Sequence, residues 1–104
     1  MNRFDSGQLK VLVYKDRTDD VWYGTALEFN LTVDGDDKNT VLLELDRAVR
    51  DYIKSAAEIG SIELLNQTPD PELLALWQAH TENRVADIVS PYTTYLAATE
   101  SIHA

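Results

Sequence analysis

Apolar residues recur at nearly every second position along two stretches near the start of the chain, residues 9–15 and residues 21–33. A period of two is typical of β-strands. The Asp-rich segment between them, residues 16–20, favours a hairpin turn, so the two strands should be antiparallel neighbours. Because the second stretch exceeds the usual strand length of roughly 3 to 10 residues, we expect a break at residues 28–30 that divides it into two strands.

A long amphipathic helix is predicted directly after these strands. Asp37 or Asn39 can accept a backbone N–H in the first turn of this helix, and Gly60 is a typical C-terminal stop. The small residues Gly24 and Ala26 in the second strand leave room for a close neighbour, so we expect the helix to cover that part of the sheet. The apolar positions that recur at helical spacing are 42, 45, 49, 52, 53 and 56.

The last third of the chain shows weaker patterns. Residues 61–67 (SIELLNQ) form a short apolar run that we interpret as a strand. Asp70 followed by Pro71 is a typical helix start, and the helical pattern extends to about Val89. Pro91 should then end the helix or begin a short final helical turn in the segment YTTYLAAT.

Together these patterns predict an α+β fold. We expect a small antiparallel sheet of three or four strands, in the order β-β-β-α-β, covered by one long helix and followed by one or more C-terminal helices. The sheet and its helix would occupy residues 1–66. A helical extension would occupy residues 67–104, either as part of the same folding unit or as an oligomerisation segment.

Composition narrows the class of protein. The chain of 104 residues is 44% hydrophobic and carries 18 acidic against 9 basic residues, for a net charge of −9. It contains no cysteine, which excludes disulfides and thiolate sites. No apolar run approaches the roughly 18 residues of a membrane span, and residues 1–20 lack a signal-peptide core. We therefore expect a cytoplasmic protein.

The distribution of charge bears on the choice of partner. Of the nine basic residues only Arg84 lies in residues 55–104, against seven acidic ones. Binding to nucleic acid requires cations against the phosphates, so this half does not favour it. The acidic excess is compatible with a basic protein partner.

The sequence predicts no metal site and no cofactor. Residues 34–37 (DGDD) suggest a calcium loop, but Leu45 stands where a bidentate Glu is required. The two histidines, His80 and His103, are too far apart for a metal-binding pair on one helix. Neither is a convincing catalytic base, because His103 is next to last in the chain and His80 follows an apolar helical run.

Two sets of residues remain as candidate sites. The carboxylates Asp16, Glu28 and Asp46 could serve acid–base or metal chemistry, although acids at turns and on polar helix faces are generally solvated. Apolar residues of the second helix occupy too much of its circumference for one small core, which suggests an exposed patch for self-association or a partner. This candidate surface consists of Leu73, Leu74, Leu76 and Trp77.

Residues 22–36 (WYGTALEFNLTVDGD) and the helix after them resemble the HicB-like antitoxin family over about residues 8–57. The resemblance implies a partial ribonuclease-H-like layer without an active site. Full-length members bind and block a small basic mRNA-cleaving toxin and repress their own operon through a C-terminal DNA-binding segment. Residues 61–104, with one basic residue, depart from that segment, so the resemblance implies protein binding here. The matching motif positions are Trp22, Gly24, Leu27, Glu28, Phe29, Asn30, Gly35 and Asp36.

Three functions follow from these observations. The first is a non-enzymatic HicB-like module that binds a small basic toxin-like protein or forms a homo-oligomer. The second is a nucleic-acid-binding regulator, which would need a basic surface built from Lys10, Lys15, Arg17, Arg47, Arg50 and Lys54. The third is an enzyme with a carboxylate site.

Overall fold

The structure, a computed structural model, describes residues 8–82 and 91–101. Four strands and two α-helices form the framework, and two short 3-10 helices, Leu27–Phe29 and Ile62–Leu65, lie in the connections. The fold is therefore α+β, as the sequence predicts. The elements are β1 (Gln8–Asp16), β2 (Trp22–Ala26), β3 (Leu31–Gly35), α1 (Lys38–Ile59), α2 (Pro71–Thr81) and β4 (Tyr92–Ser101).

All the strands belong to one antiparallel sheet in the order β3-β2-β1-β4. The predicted hairpin between the first two strands is confirmed, with Lys15 opposite Trp22 across the turn. The predicted break in the second alternating stretch is also confirmed, because a single 3-10 turn ends at Asn30, which adopts the left-handed conformation with φ of 50°. Asn tolerates this conformation better than most residues. The chain thus reverses tightly into β3.

Helix α1 covers one face of the sheet. The Asp37 carboxylate accepts the Thr40 N–H at 2.8 Å, which caps the first turn, and Gly60 ends the helix with φ of +79°. Both ends agree with the sequence prediction. The buried stripe differs by one position at its start, because Val41 faces the sheet and Leu42 lies at the margin of this stripe. The buried residues of α1 are Val41, Leu45, Val49 and Ala56.

The small residues of β2 allow α1 to approach the sheet closely. A Cβ placed on Gly24 would lie 2.7 Å from Val41 Cγ1 and 3.2 Å from Leu45 Cδ2. Carbon atoms in ordinary contact are about 3.5 to 4.0 Å apart, so no side chain fits at this position without a shift. The predicted cover over Gly24 is therefore confirmed, and helix α1 provides it.

Helix α2 packs on the opposite face of the sheet. Alternation in β1 directs Leu9 and Val11 into the core beneath α1, whereas Leu12 and Tyr14 join a second core that includes Leu76. Period-two alternation thus serves two apolar layers, one on each side of the same strand. The chain builds a helix–sheet–helix arrangement.

Two predictions for the last third of the chain are wrong. Residues 61–67 do not form a strand, because Ile62–Leu65 is a 3-10 helix. The segment YTTYLAAT is not helical but belongs to strand β4, which pairs with β1 along its whole length. The start of α2 is confirmed, since Asp70 caps it with Pro71 in the first turn. Helix α2 ends at Thr81, and the expected extension to Val89 falls in residues 83–90, outside the described residues.

Candidate partner-binding surfaces

Strand β4 forms one edge of the sheet formed by the described residues, and its outer side faces away from the other three strands. The Lys10 N–H is directed toward the β2 side, where it donates to Glu28 Oε1. Backbone groups alternate in direction along an antiparallel strand. The backbone N–H and C=O of Val11 therefore point toward β4, where Val11 pairs with Ala98. Ala97 and Thr99 then direct their N–H and C=O groups away from β1. Within residues 8–82 and 91–101, no strand pairs with this side.

The composition of β4 offers little protection against pairing with another strand. Natural edge strands are commonly blunted by Lys, by Pro or by being very short. Strand β4 is 10 residues long and rich in Tyr, Thr and Ala, and its single charged residue is Glu100. A bulge near Tyr95 is its one irregularity, since the pairing with β1 shifts between Val13 and Tyr14.

The opposite edge of the sheet is less favourable for pairing. Strand β3 has 5 residues. Ala26 lies opposite Leu31 and Gly24 opposite Val33, and the backbone groups of these residues point toward one another. The backbone N–H and C=O groups of the alternate residues Thr32 and Asp34 therefore point away from β2. One of these two positions is a charged Asp. Of the two edges, β4 therefore presents the longer and less charged backbone surface.

Helix α2 holds the four apolar residues that the sequence predicts as a partner surface. The structure buries Leu76 and leaves Leu73, Leu74 and Trp77 half-buried against the second face of the sheet. The Trp77 indole N–H donates to the Ala98 carbonyl of β4 at 3.0 Å. The sheet uses both of its faces, which is why one small domain accommodates so many apolar residues. A role of these four residues in assembly stays a prediction.

The exposed large apolar side chains of the described residues lie elsewhere. Helix α1 exposes 59% of Leu43, 37% of Leu42 and 70% of Ile59, and β4 exposes 45% of Tyr95. The sequence assigns Leu42 to the core and gives no weight to Tyr95, because it places that residue in a helical turn. Recognising β4 as a strand is the observation that identifies Tyr95.

Two aromatic rings and two lysines form a stack beside the start of β4. The Trp22 and Tyr95 rings meet edge to face with centroids 5.6 Å apart. Lys15 Nζ lies 5.5 Å from the Trp22 ring, and Lys38 Nζ lies 4.4 Å from the Tyr95 ring. Aromatic faces attract cations through their negative quadrupole. Both rings thus already hold ammonium groups of this chain.

The turns at the same end of the sheet are rich in exposed acids. The β1–β2 turn and the β3–α1 turn are neighbours, since Lys15 pairs with Trp22 and Trp22 pairs with Gly35. Among these acids, only Asp20 has a described ion pair, with Lys15 at 2.6 Å. We call this group the acidic end. Its exposed members are Asp19, Asp20, Asp34, Asp36 and Asp37.

The candidate carboxylates each have a structural role. Glu28, 3% exposed, accepts the backbone N–H and the ammonium group of Lys10, both at 2.9 Å. Asp16 Oδ1 accepts the backbone N–H of Thr18 at 2.7 Å and so organises the turn. Asp46 pairs with Arg50 along α1 at 3.2 Å. No hydrogen bond or ion pair in the structure links any two of these three carboxylates.

The described part of the chain contains no group of three His, Asp or Glu side chains placed to hold a metal ion. His80 is exposed on α2, and His103 lies outside the described residues. In the DGDD segment, Asp37 is the cap of α1. No helix in the described ranges has the length and apolar character that a membrane crossing requires.

Most of the basic residues that nucleic-acid binding would need form ion pairs with acidic residues of this chain. Of the six basic residues considered, Lys10 pairs with the buried Glu28, and three others have carboxylate partners on the surface. Those three are Lys15, Arg47 and Arg50. The paired cations are poorly placed to neutralise phosphates, because a nearby carboxylate repels the same anion.

Burial raises the pKa of two tyrosines on the second face. The Tyr14 phenol is buried, shares a hydrogen bond with Thr25 at 3.1 Å, and has a pKa above its ordinary value. The pKa of Tyr92 is also raised, by partial desolvation and by the neighbouring Asp16. Both phenols remain protonated at neutral pH, so neither supplies a base.

Comparisons with protein-family models, with curated proteins and with solved structures find no match to this chain. The HicB-like resemblance therefore rests on the motif residues 22–36 and on the helix that follows. The motif residues lie in β2, in the 3-10 turn, in β3 and in the turn before α1.

Proposed function

We propose that this chain is a non-enzymatic protein-interaction module that takes up a strand from a second protein chain at the outer edge of β4. The observation that carries the proposal is the length and near neutrality of that edge. An exposed edge offers a row of unpaired N–H and C=O groups, and strand addition satisfies them in regular register. The partner is a second copy of this chain or a small basic protein.

The acidic end supports the second kind of partner. Complementary charge speeds association and orients the partner, and the net charge of −9 favours a cationic protein. The Trp22 and Tyr95 rings already bind lysines of this chain, so the local chemistry suits ammonium groups. An antitoxin-like role, in which the chain binds and blocks a small basic toxin, is the biological form of this proposal.

A cationic peptide with alternating Lys and Val supplies both charge and an extended strand, so it is a suitable probe. In a Trp77→Phe background Trp22 is the only tryptophan. Its fluorescence should change saturably as the peptide is added, and the apparent affinity should fall as salt is raised. Exchanging Asp19, Asp20 and Asp36 for Asn should weaken binding by about tenfold or more.

The matched control exchanges Asp51→Asn, Glu58→Gln and Glu63→Gln, three exposed acids outside the acidic end. It removes the same charge, so equal weakening by both triple variants would assign the effect to net charge alone. The proposal as a whole fails if the peptide gives no saturable signal and the native chain is monomeric at every concentration.

A further inference from the structure

We infer that the partner at the β4 edge is a second copy of this chain, joined by antiparallel pairing of β4 with β4 across a twofold axis. This inference rests on the proposed function and specifies its self-association. A twofold interface places the same surface on both copies, so an edge strand that can pair with itself is sufficient. The result is one continuous sheet of eight strands.

Charge favours a copy of the chain over a basic protein at this edge. Strand β4 has Glu100 as its one charged residue and contains no Lys or Arg. A basic strand would therefore find complementary charge at the Tyr92 end of this edge, beside the acidic end, but little along the rest of it. Two copies of β4, with one charged residue each, can in contrast approach with little like-charge repulsion.

The antiparallel arrangement also separates the acidic ends of the two copies. Tyr92, at the start of β4, pairs with Asp16 beside the acidic end, whereas Ser101 lies at the far end of the strand. Pairing about the middle of β4 places the Tyr92 end of one copy beside the Ser101 end of the other. A ten-residue strand spans about 30 Å, well beyond the screening length of about 8 Å at physiological salt. Two chains of charge −9 can therefore associate there.

One side chain beside the edge supplies apolar area to the same interface. Tyr95 is 45% exposed on the α1 side of β4, and its ring contacts Lys38 of α1. Backbone pairing at the edge therefore brings this exposed tyrosine of each copy close to the partner.

Substitution by proline tests the inference at a position that leaves the monomer's own sheet bonded. The Thr99 N–H faces outward, so Thr99→Pro removes a donor from the outer edge and none from the β1–β4 pairing. Thr32→Pro is the matched control, because its N–H faces outward from the other edge. Light scattering should give the native chain and Thr32→Pro twice the monomer mass of 11.7 kDa. Thr99→Pro should raise the dimer dissociation constant at least about tenfold.

Amide hydrogen exchange of the native chain tests the same edge without any substitution. The Ala97 and Thr99 amides should exchange freely in dilute solution and become protected as the dimer forms, whereas the Thr32 amide should exchange at the same rate throughout. A folded Thr99→Pro dimer as tight as the native one, or protection of Thr32 in place of Thr99, overturns the β4 assignment alone. A native chain that stays monomeric overturns self-association as well, and leaves the basic-partner half of the proposed function standing.

Discussion

Gly24 offers a direct test of the close packing between β2 and α1. In Gly24→Ala the new Cβ would lie 2.7 Å from Val41 Cγ1, about 1 Å inside ordinary carbon contact. Val41 is completely buried, and a β-branched side chain in a helix has essentially one rotamer. The side chain cannot turn aside, so α1 itself must shift away from the sheet.

The expected destabilisation follows from two opposing effects. Overpacking of a core by a methyl group costs about 1 to 3 kcal/mol. Replacing Gly by Ala, at a position without positive φ, recovers about 0.4 to 1 kcal/mol by restricting the unfolded chain. We therefore expect Gly24→Ala to lower the free energy of unfolding by about 1 to 2 kcal/mol.

A second substitution identifies Val41 as the cause. Val41→Ala alone removes two buried methyl groups, which costs about 2 kcal/mol with the cavity included. In the double variant the added methyl group at position 24 occupies space that the Val41 methyl groups vacate. The two losses should therefore fall short of additivity by about 1 kcal/mol or more.

Urea unfolding followed by circular dichroism measures these differences as shifts in the midpoint at constant slope. Gly35→Ala is the matched control, because its Cβ would meet Val41 Cγ2 at a milder 3.1 Å. It should cost clearly less than Gly24→Ala. A Gly24→Ala variant as stable as the native chain, or a strictly additive double variant, would refute the packing argument.

Substitutions at three further positions each test one local effect. Glu28→Ala removes the acceptor of the Lys10 N–H and the buried half of an ion pair, so it should cost about 2 to 4 kcal/mol in urea unfolding, whereas Glu28→Gln keeps an acceptor and should cost less. Hydrogen bonds from the backbone and hydroxyl of Thr40 hold the pKa of Asp37 below 3.8, so the contribution of its carboxylate to stability is present above about pH 4 and lost as pH falls through the native pKa. The difference in melting temperature between the native chain and Asp37→Ala should therefore narrow in acid. A difference that stays constant would contradict this. Gly60→Ala meets no neighbouring atom, so its cost of about 1 to 2 kcal/mol should reflect the positive φ alone, and a smaller cost in Gly60→Asn would agree.

Periodicity and local capping were sufficient to predict the first two thirds of the fold. In strands β1 to β3, alternate residues face opposite sides of the sheet. Helix α1 is capped by Asp37 at its start and ends at Gly60. These signals are local, since each depends on neighbours within a few residues. The break at residues 28–30 was equally predictable, because strand length and the turn-forming Asn30 agree.

The sequence does not identify strand β4, because the pattern of its residues does not separate strand from helix. The segment YTTYLAAT begins with β-prone Tyr and Thr, but Leu and Ala in its second half favour a helix. Residues 96–98 are all apolar and all partly buried, so polar and apolar residues do not alternate through the second half of the strand. What makes it a strand is long-range pairing with β1, which local propensity does not contain.

The same ambiguity explains why the sequence pointed to α2 as the association surface. If the sheet has a core on one face only, that core cannot bury all the apolar residues of α2. Trp77 and its neighbours are then expected to form an exposed patch. Once β4 extends the sheet, the second face becomes large enough to accept Leu76, and Trp77 donates its indole N–H to Ala98. The candidate association surface is then the backbone edge of β4 and no longer the side chains of α2. Strand β4 thus provides the surface that buries the apolar side chains of α2, and it also forms a new edge of the sheet. This edge is where association should be sought first.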